Sequence, residues 1–246
     1  MPASSRIVVA LLVLVVLATL AACKDTYNYG SVSFVDPQHG WVTGWDQETT
    51  QTVVSSTLDR GATWQQVGSR GARAHIVGWA ELSTPTTGVW CVDVDKLLFT
   101  TTGGRPWQLA TVKGMRGGYF AAASFASANV GWAAGVHGQA KAGGSIAKTT
   151  DGGVTWVAQV SGVSAWLHGV CFTGVDSGFV IGGDGVILHT LDGGTQWTRQ
   201  SAETTATLNA VDFVSSDEGW VVGEEGWATG QPGTLLHTID GGMTWK

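Results

Sequence analysis

Four carboxylates in this 246-residue chain recur in one setting. Asp59, Asp151, Asp192 and Asp240 each follow a threonine by two residues, precede a glycine by two and precede a tryptophan (Trp64, Trp156, Trp197, Trp245) by five. A fifth copy, ending in Trp107, carries Thr102 in place of the aspartate and Pro106 in place of the threonine before the tryptophan. A short carboxylate in a glycine-containing turn accepts hydrogen bonds from nearby backbone N–H groups. Glycine supplies the positive φ that such turns need, and tryptophan has the size to fill the gap between neighbouring sheets. The chemistry of this phrase is therefore structural. It predicts a C–D hairpin in each repeat, with the degenerate second copy the loosest.

Other residues capable of chemistry are few. His189 and His237 occupy the same place in two "LHT" stretches, which reads as packing, while His75 and His168 precede the first strand of a repeat and are the better ligand candidates. "GGDG" at 182–185 reads as a tight turn rather than a calcium loop, because no tandem copies follow. No metal and no cofactor is expected. Cys91 and Cys171 fall in non-adjacent repeats, so two buried thiols are favoured over a disulfide.

The elements that position these residues follow from spacing. The Asp position recurs at 59, 102, 151, 192 and 240, at intervals of 43, 49, 41 and 48 residues. Upstream of each copy an apolar residue precedes a glycine by six: Phe34 and Gly40, Leu82 and Gly88, Phe125 and Gly131, Phe172 and Gly178, Phe213 and Gly219. Each unit reads as four short strands, A to D, and four-stranded units of this length are propeller blades. The predicted fold is all-β, a β-propeller with five blades visible over residues 31–246. The fifth lacks most of its outer strand, since only Lys246 follows Trp245.

The recurring phrase resembles the Asp-box of bacterial neuraminidase repeats. Together with "LNAVDFVSSDEGWVVGEEG" and "LLHTIDGGMTW" it resembles the propeller family that includes the photosystem II stability and assembly factor. The resemblance covers about residues 31–246. It implies a seven-bladed pattern, relative to which this ring is incomplete, and a lumenal or lipid-anchored scaffold that binds protein and does no catalysis.

The N-terminus adds a targeting expectation. One positive charge, Arg6, precedes the apolar run "IVVALLVLVVLATL", too short for a membrane span of ~20 residues and suited to a signal core. "LAAC" then resembles a bacterial lipobox. The expected organisation is a lipoprotein signal peptide over 1–22, lipidated Cys23 opening a linker over 23–30, and the propeller beyond. The protein is then exported and held to a bacterial membrane by lipid, facing periplasm or cell exterior, or thylakoid lumen in a photosynthetic source.

Charge narrows the partners. A formal net charge of −6 argues against a nucleic-acid binder. Arg70, Arg73, Lys113 and Arg116 lie in two successive connections between blades, with Tyr119, Trp79 and Trp166 nearby in register. They are read either as one docking patch for an acidic segment of a partner protein or as scattered solvated charges. Longer B–C segments at 45–51, 136–144 and 224–233 either build a rim or are tolerated insertions. The rival class is a sialidase-like glycoside hydrolase or a carbohydrate-binding propeller. Sialidase chemistry needs three arginines around a carboxylate and a Tyr–Glu nucleophile. Tyr119 is the only tyrosine within the repeats, while Glu81, Glu224 and Glu225 are the carboxylates left open for ordinary glycoside hydrolysis; no enzyme is expected.

Overall fold

The computed structural model describes residues 27–71, 80–93, 96–115, 118–137, 143–224 and 233–246. Its regular structure is all strand, arranged as five antiparallel sheets that follow the five repeats. Sheet 1 runs β1 (Tyr27–Phe34), β2 (Gly40–Asp46), β3 (Gln51–Thr57) and β4 (Gln65–Gly71). Sheet 2 holds β5 (Ala80–Leu82), β6 (Gly88–Asp93), β7 (Lys96–Thr100) and β8 (Gln108–Leu109). Sheet 3 holds β10 (Gly118–Phe125), β11 (Gly131–His137), β12 (Gly144–Thr149) and β13 (Thr155–Val160), with β9 (Thr111–Lys113) added beside β13. Sheet 4 holds β14 (Leu167–Phe172), β15 (Gly178–Gly182), β16 (Ile187–Thr190) and β17 (Thr198–Gln200). Sheet 5 has three strands, β18 (Thr207–Phe213), β19 (Gly219–Glu224) and β20 (Gly233–Thr238). Lys246 exchanges two backbone hydrogen bonds with His237. These are the blades of a β-propeller.

Two details differ from the sequence reading. β1 begins at Tyr27, inside the stretch expected as linker, because Tyr27, Asn28 and Tyr29 pair with the far end of β2 at Asp46, Trp45 and Gly44. The segment after Leu109 does not simply prolong the outer strand of sheet 2. Thr111–Lys113 crosses to the outer edge of sheet 3 and makes it five-stranded.

The six-residue signature has a packing cause. In every repeat its two residues face each other across the A–B turn: Phe34 and Gly40, Leu82 and Gly88, Phe125 and Gly131, Phe172 and Gly178, Phe213 and Gly219. The phenyl ring lies over the glycine. A Cβ at Gly40, Gly131 or Gly219 would come within 2.5–2.6 Å of it, so only a residue without a side chain fits. The box tryptophan then stands edge-on to the same ring, with centroids 6.0–6.1 Å apart for Phe34 and Trp64, Phe125 and Trp156, Phe172 and Trp197, and Phe213 and Trp245. Edge-to-face geometry is the favoured one for such pairs.

The chain divides into two compact units, residues 1–111 with 151–154, and 112–150 with 155–246. In the first, Trp41, Val54 and Val67 of sheet 1 pack on Ala80, Leu82, Trp90 and Leu98 of sheet 2. In the second, Trp132, Ala134 and Ile146 of sheet 3 pack on Leu167, Val170 and Phe172 of sheet 4. Phe179, Ile181 and Ile187 of sheet 4 in turn pack on Leu208, Phe213 and Trp245 of sheet 5. Each fully buried large side chain contributes roughly 1.5–3 kcal/mol, so the cohesion lies between sheets as much as within them. Inner strands also meet directly. Ser33 Oγ accepts the N–H of Leu82 at 3.3 Å, and Ser124 Oγ accepts that of Phe172 at 3.1 Å. Cys91 and Cys171 are both buried thiols rather than a bridge.

Candidate partner-binding site

The boxes bind their own hairpins. Asp59 accepts the hydroxyls of Thr57 (2.8 Å) and Thr63 (2.6 Å) and the N–H of Thr63 (2.8 Å). Asp240 does the same with Thr238 (2.8 Å) and Thr244 (2.6 and 2.9 Å). Asp192 takes the Thr190 hydroxyl and the Gln196 N–H, both at 2.9 Å. These donors favour the charged form. The Thr244 hydroxyl and N–H, then the Thr238 hydroxyl, hold Asp240 down to about 2. The Thr63 hydroxyl and N–H, then Thr57, lower Asp59. Asp192 is lowered too, chiefly by the Gln196 N–H. Asp151 lies exposed in the β12–β13 hairpin.

The second box lacks this network. The donor four residues on is Pro106, which has no N–H, and Thr102 donates instead to the Arg105 carbonyl. The Gly104 N–H reaches Thr100 Oγ1 at 3.2 Å, against 2.8–2.9 Å for the equivalent bond at Gly61, Gly194 and Gly242. Burial of the tryptophans follows a different line: Trp64, Trp156 and Trp245 are buried, while Trp107 and, in an intact box, Trp197 are only half-buried. Box hairpins also latch sheets together. The Gly193 carbonyl accepts from Trp132 Nε1 (3.1 Å), Lys148 Nζ (3.1 Å) and Gln159 Nε2 (3.2 Å).

The boxes occupy one end of each sheet, and the candidate site lies at the other. In sheet 4 that end is built from the connection 161–166, the turn 183–186 and the connection 201–206. Gly183 donates to the Trp166 carbonyl (2.9 Å) and Gly185 to the Ala206 carbonyl (2.9 Å). Asp184 and Gly185 have positive φ of 55° and 62°, so "GGDG" is the tight turn expected. No Cβ fits at Gly182, because the Trp166 carbonyl packs on its Cα. Trp166 is thus held by its backbone while its indole stays 58% exposed. Tyr119 holds the same repeat position in sheet 3, its carbonyl packed on Gly135 in the same way. The structure brings Tyr119 and Trp166 to the same end of adjoining sheets.

It does not bring Lys113 to Tyr119. Lys113, on β9, lies at the opposite edge of sheet 3 from Tyr119 on β10. Four strand spacings separate them, about 19 Å, so they form no common patch. Backbone pairing with β13 carries this connection to the outer edge of sheet 3. Arg70 is exposed on β4. Cys23, Arg73, His75, Trp79 and Arg116 lie outside the described residues, as do most of the two longer loops at 136–144 and 224–233. The third long segment forms the β2–β3 turn, in which buried Asp46 accepts the N–H groups of Glu48 (2.9 Å) and Thr49 (3.3 Å).

The histidines sort by packing. His189 stacks on Phe179 (4.1 Å, 7°) and His237 on Trp220 (4.7 Å, 10°). His168 falls inside β14, where the pairing slips between Leu167 and Gly169. Burial lowers the pKa of both His168 and His189. Similar slips mark Gly30, Ala121 and Asn209 in the other inner strands. Sequence reasoning missed this repeated bulge; its signal is the position four residues before each strand-A phenylalanine. Among the described residues no group of three His, Cys, Asp or Glu side chains is placed to hold a metal.

Four-stranded blades latched by Asp-boxes define an Asp-box β-propeller. Residues 162–246 match the family described as photosynthesis system II assembly factor YCF48, so the last two repeats carry that family's pattern. Among solved structures, "YCF48 bound to D1 peptide" is similar with a TM-score of 0.61 and 21% identity, over 89% of this chain and 67% of that one. YCF48 from Cyanidioschyzon merolae is similar with a TM-score of 0.61 and 14% identity, over 89% and 69%. The Niastella koreensis GH74 enzyme reaches a TM-score of 0.65 at 15% identity, over 89% of this chain and 38% of its own. At these identities the likeness is one of fold. No curated protein matches the sequence.

Proposed function

We propose that this chain is a binding propeller without catalytic activity, a scaffold or assembly factor that holds a protein segment against the Tyr119–Trp166 end of sheets 3 and 4. The observation that carries this reading is Trp166 itself. A tryptophan 58% exposed on a loop fixed by backbone hydrogen bonds is a rigid anchor, and aromatic anchors dominate protein interfaces. The match to the YCF48 family includes this residue, and a similar YCF48 structure holds a peptide. Export and lipid attachment through Cys23 complete the proposal and would place that surface beside a membrane.

Pull-down from detergent-solubilised source membranes tests it, with wild type and Trp166→Ala as baits. The variant should keep its circular dichroism spectrum and lose the partner, because an exposed side chain contributes little to stability. Recovery of the same proteins in the same amounts removes Trp166 from the interface. Cys23→Ala should leave the chain unprocessed or soluble; normal maturation in the membrane fraction rejects the lipid anchor.

The fold likeness to a GH74 enzyme supports a second reading, glycoside hydrolysis. Asp59, Asp192 and Asp240 are engaged in their own hairpins and do not offer the paired carboxylates which that chemistry needs. Turnover of fluorogenic glycosides by the purified protein would replace the binding reading with this one.

A further inference from the structure

One position in each repeat decides how the box end of a sheet is filled. It is the residue just before the box threonine, and it pairs with the residue that follows the A–B glycine. The pairs are Trp41 with Ser56, Val89 with Phe99, Trp132 with Lys148, Phe179 with His189 and Trp220 with His237. In four of them the second side chain is large. Lys148 lies over the Trp132 ring, its Nζ 4.9 Å from the centroid, and both histidines stack on their aromatic partners. Ser56 is too short to fill the same place.

The consequence lies within the first unit. Where sheet 1 meets sheet 2 at the box end there is a cavity of about 220 Å³, walled by Trp41, Ser56, Leu82, Thr86, Thr102 and Gly103. The matching place between sheets 3 and 4 is filled by the chain's own side chains. There the Gly193 carbonyl takes the Lys148 ammonium (3.1 Å) and the Gln159 amide (3.2 Å). Gly103 is the counterpart of Gly193: each donates its N–H to the A–B turn of its own sheet, at Thr86 (2.7 Å) and Asp176 (2.8 Å). Val67 is the counterpart of Gln159, since a Cβ built on the next glycine, Gly104 or Gly194, meets the one or the other. Valine brings no donor, and among the described residues no hydrogen bond reaches the Gly103 carbonyl. Arg105 of the same hairpin turns instead to the carbonyls of Gln66 (2.7 Å) and Val67 (3.3 Å). Two carboxylates stand one hydrogen bond behind the cavity wall, Asp36 on His39 (2.7 Å) and Asp59 on Thr57 (2.8 Å).

We propose that this cavity takes the side chain of a lysine presented by a partner segment, its ammonium donating to the Gly103 carbonyl beside Trp41 as Lys148 donates to Gly193 beside Trp132. An ammonium carries three donors and needs acceptors in place of the water it leaves. Between sheets 3 and 4 the chain holds an internal copy of the contact that it offers between sheets 1 and 2. The site involves neither Tyr119 nor Trp166 and is independent of the proposed partner site.

Backbone amide shifts of the purified full chain, nitrogen-labelled and in one detergent throughout, test this. The probes are n-butylammonium, its uncharged match n-butanol, and lysine capped at both ends, which carries the same group on a peptide backbone. Butylammonium and capped lysine should shift Ser56, Thr86 and Gly103 saturably and alike, in the weak range expected of small ligands, and leave Gly193 in place. Ser56→Lys supplies the ammonium from within the chain and should weaken both probes at least about tenfold, because the internal group competes at high effective concentration. Circular dichroism checks the fold, and Ser56→Arg replaces Ser56→Lys if β3 is disturbed. Equal shifts with butanol overturn the proposal, since the cavity is then only an apolar gap. So does a Gly103 that responds to neither cation, a Gly193 that moves as much as Gly103, or probe binding that the Ser56 variant leaves unchanged. Binding of butylammonium with capped lysine excluded removes a lysine side chain as the occupant and overturns it too.

Discussion

The indole of Trp132 lies flat on the ring of Phe172, with centroids 3.4 Å and planes 5° apart. One belongs to the second strand of its sheet and the other to the first strand of the next. Phe179 and Phe213 repeat the relation one repeat later. Phe172 and Phe213 therefore each touch a glycine below, their own box tryptophan at the edge and an aromatic of the preceding sheet above. From sheet 3 to sheet 5, adjacent repeats are stapled by that one ring.

Removing a ring from this staple should be costly where burial is complete. Trp156 is 0% exposed and edge-on to Phe125, so Trp156→Ala should lose ~3–5 kcal/mol. Trp197 is half-buried and its alanine variant should lose clearly less. Urea denaturation of both variants measures the difference; equal losses would show that burial does not set the scale.

The glycine under the ring should be equally intolerant for its size. Gly131→Ala places a Cβ about 2.6 Å from Phe125, and overpacking of this kind costs ~1–3 kcal/mol. Gly174 has no atom within 4 Å of a built Cβ, so Gly174→Ala should change stability by no more than ~1 kcal/mol. Thermal melts of the pair distinguish them.

Acid should act on the boxes. The folded pKa of Asp240, about 2, lies below the unfolded value of ~3.9. Its contribution is therefore complete above pH ~4 and is lost as pH falls toward 2, where folded and unfolded forms are both protonated. Asp240→Asn should flatten the stability profile across that window and lower stability at neutral pH. A variant that melts in parallel with wild type from neutral pH down to acid would contradict the assignment.

The degenerate box should be repairable only in pairs. Thr102→Asp alone introduces a carboxylate with no N–H at Pro106 to receive, so it should gain nothing. With Pro106→Thr added, the network seen at Asp240 becomes available, and the two changes should couple favourably by roughly 0.5–1.5 kcal/mol. A double-mutant cycle in urea gives the coupling directly; additive effects would mean the missing donor is not what loosened the turn.

Much of the fold was legible because its grammar is local. The Asp, Gly and Trp of each box satisfy one hairpin within eight residues, and the Phe–Gly pair faces itself across a single A–B turn. Such chemistry leaves a fixed spacing in the chain, so repeat number, strand order and the looser second box could all be read without coordinates. The packing role of His189 and His237 was readable for the same reason, as a position shared between repeats. Residues whose roles depend on another repeat could not be placed this way. Lys113 and Tyr119 are six positions apart in sequence but stand at opposite edges of sheet 3, because β9 found its hydrogen-bond partners on β13. Trp156 and Trp197 close the same motif, yet only one is sealed from solvent. Trp166 precedes its strand as Tyr119 does, but the loop around Gly183 and Ala206 decides that its indole projects. Sequence by itself determined the blade, because a blade closes its hydrogen bonds within some forty residues. Only tertiary structure decided which blade surfaces are covered, because burial depends on a neighbour contributed by a different repeat.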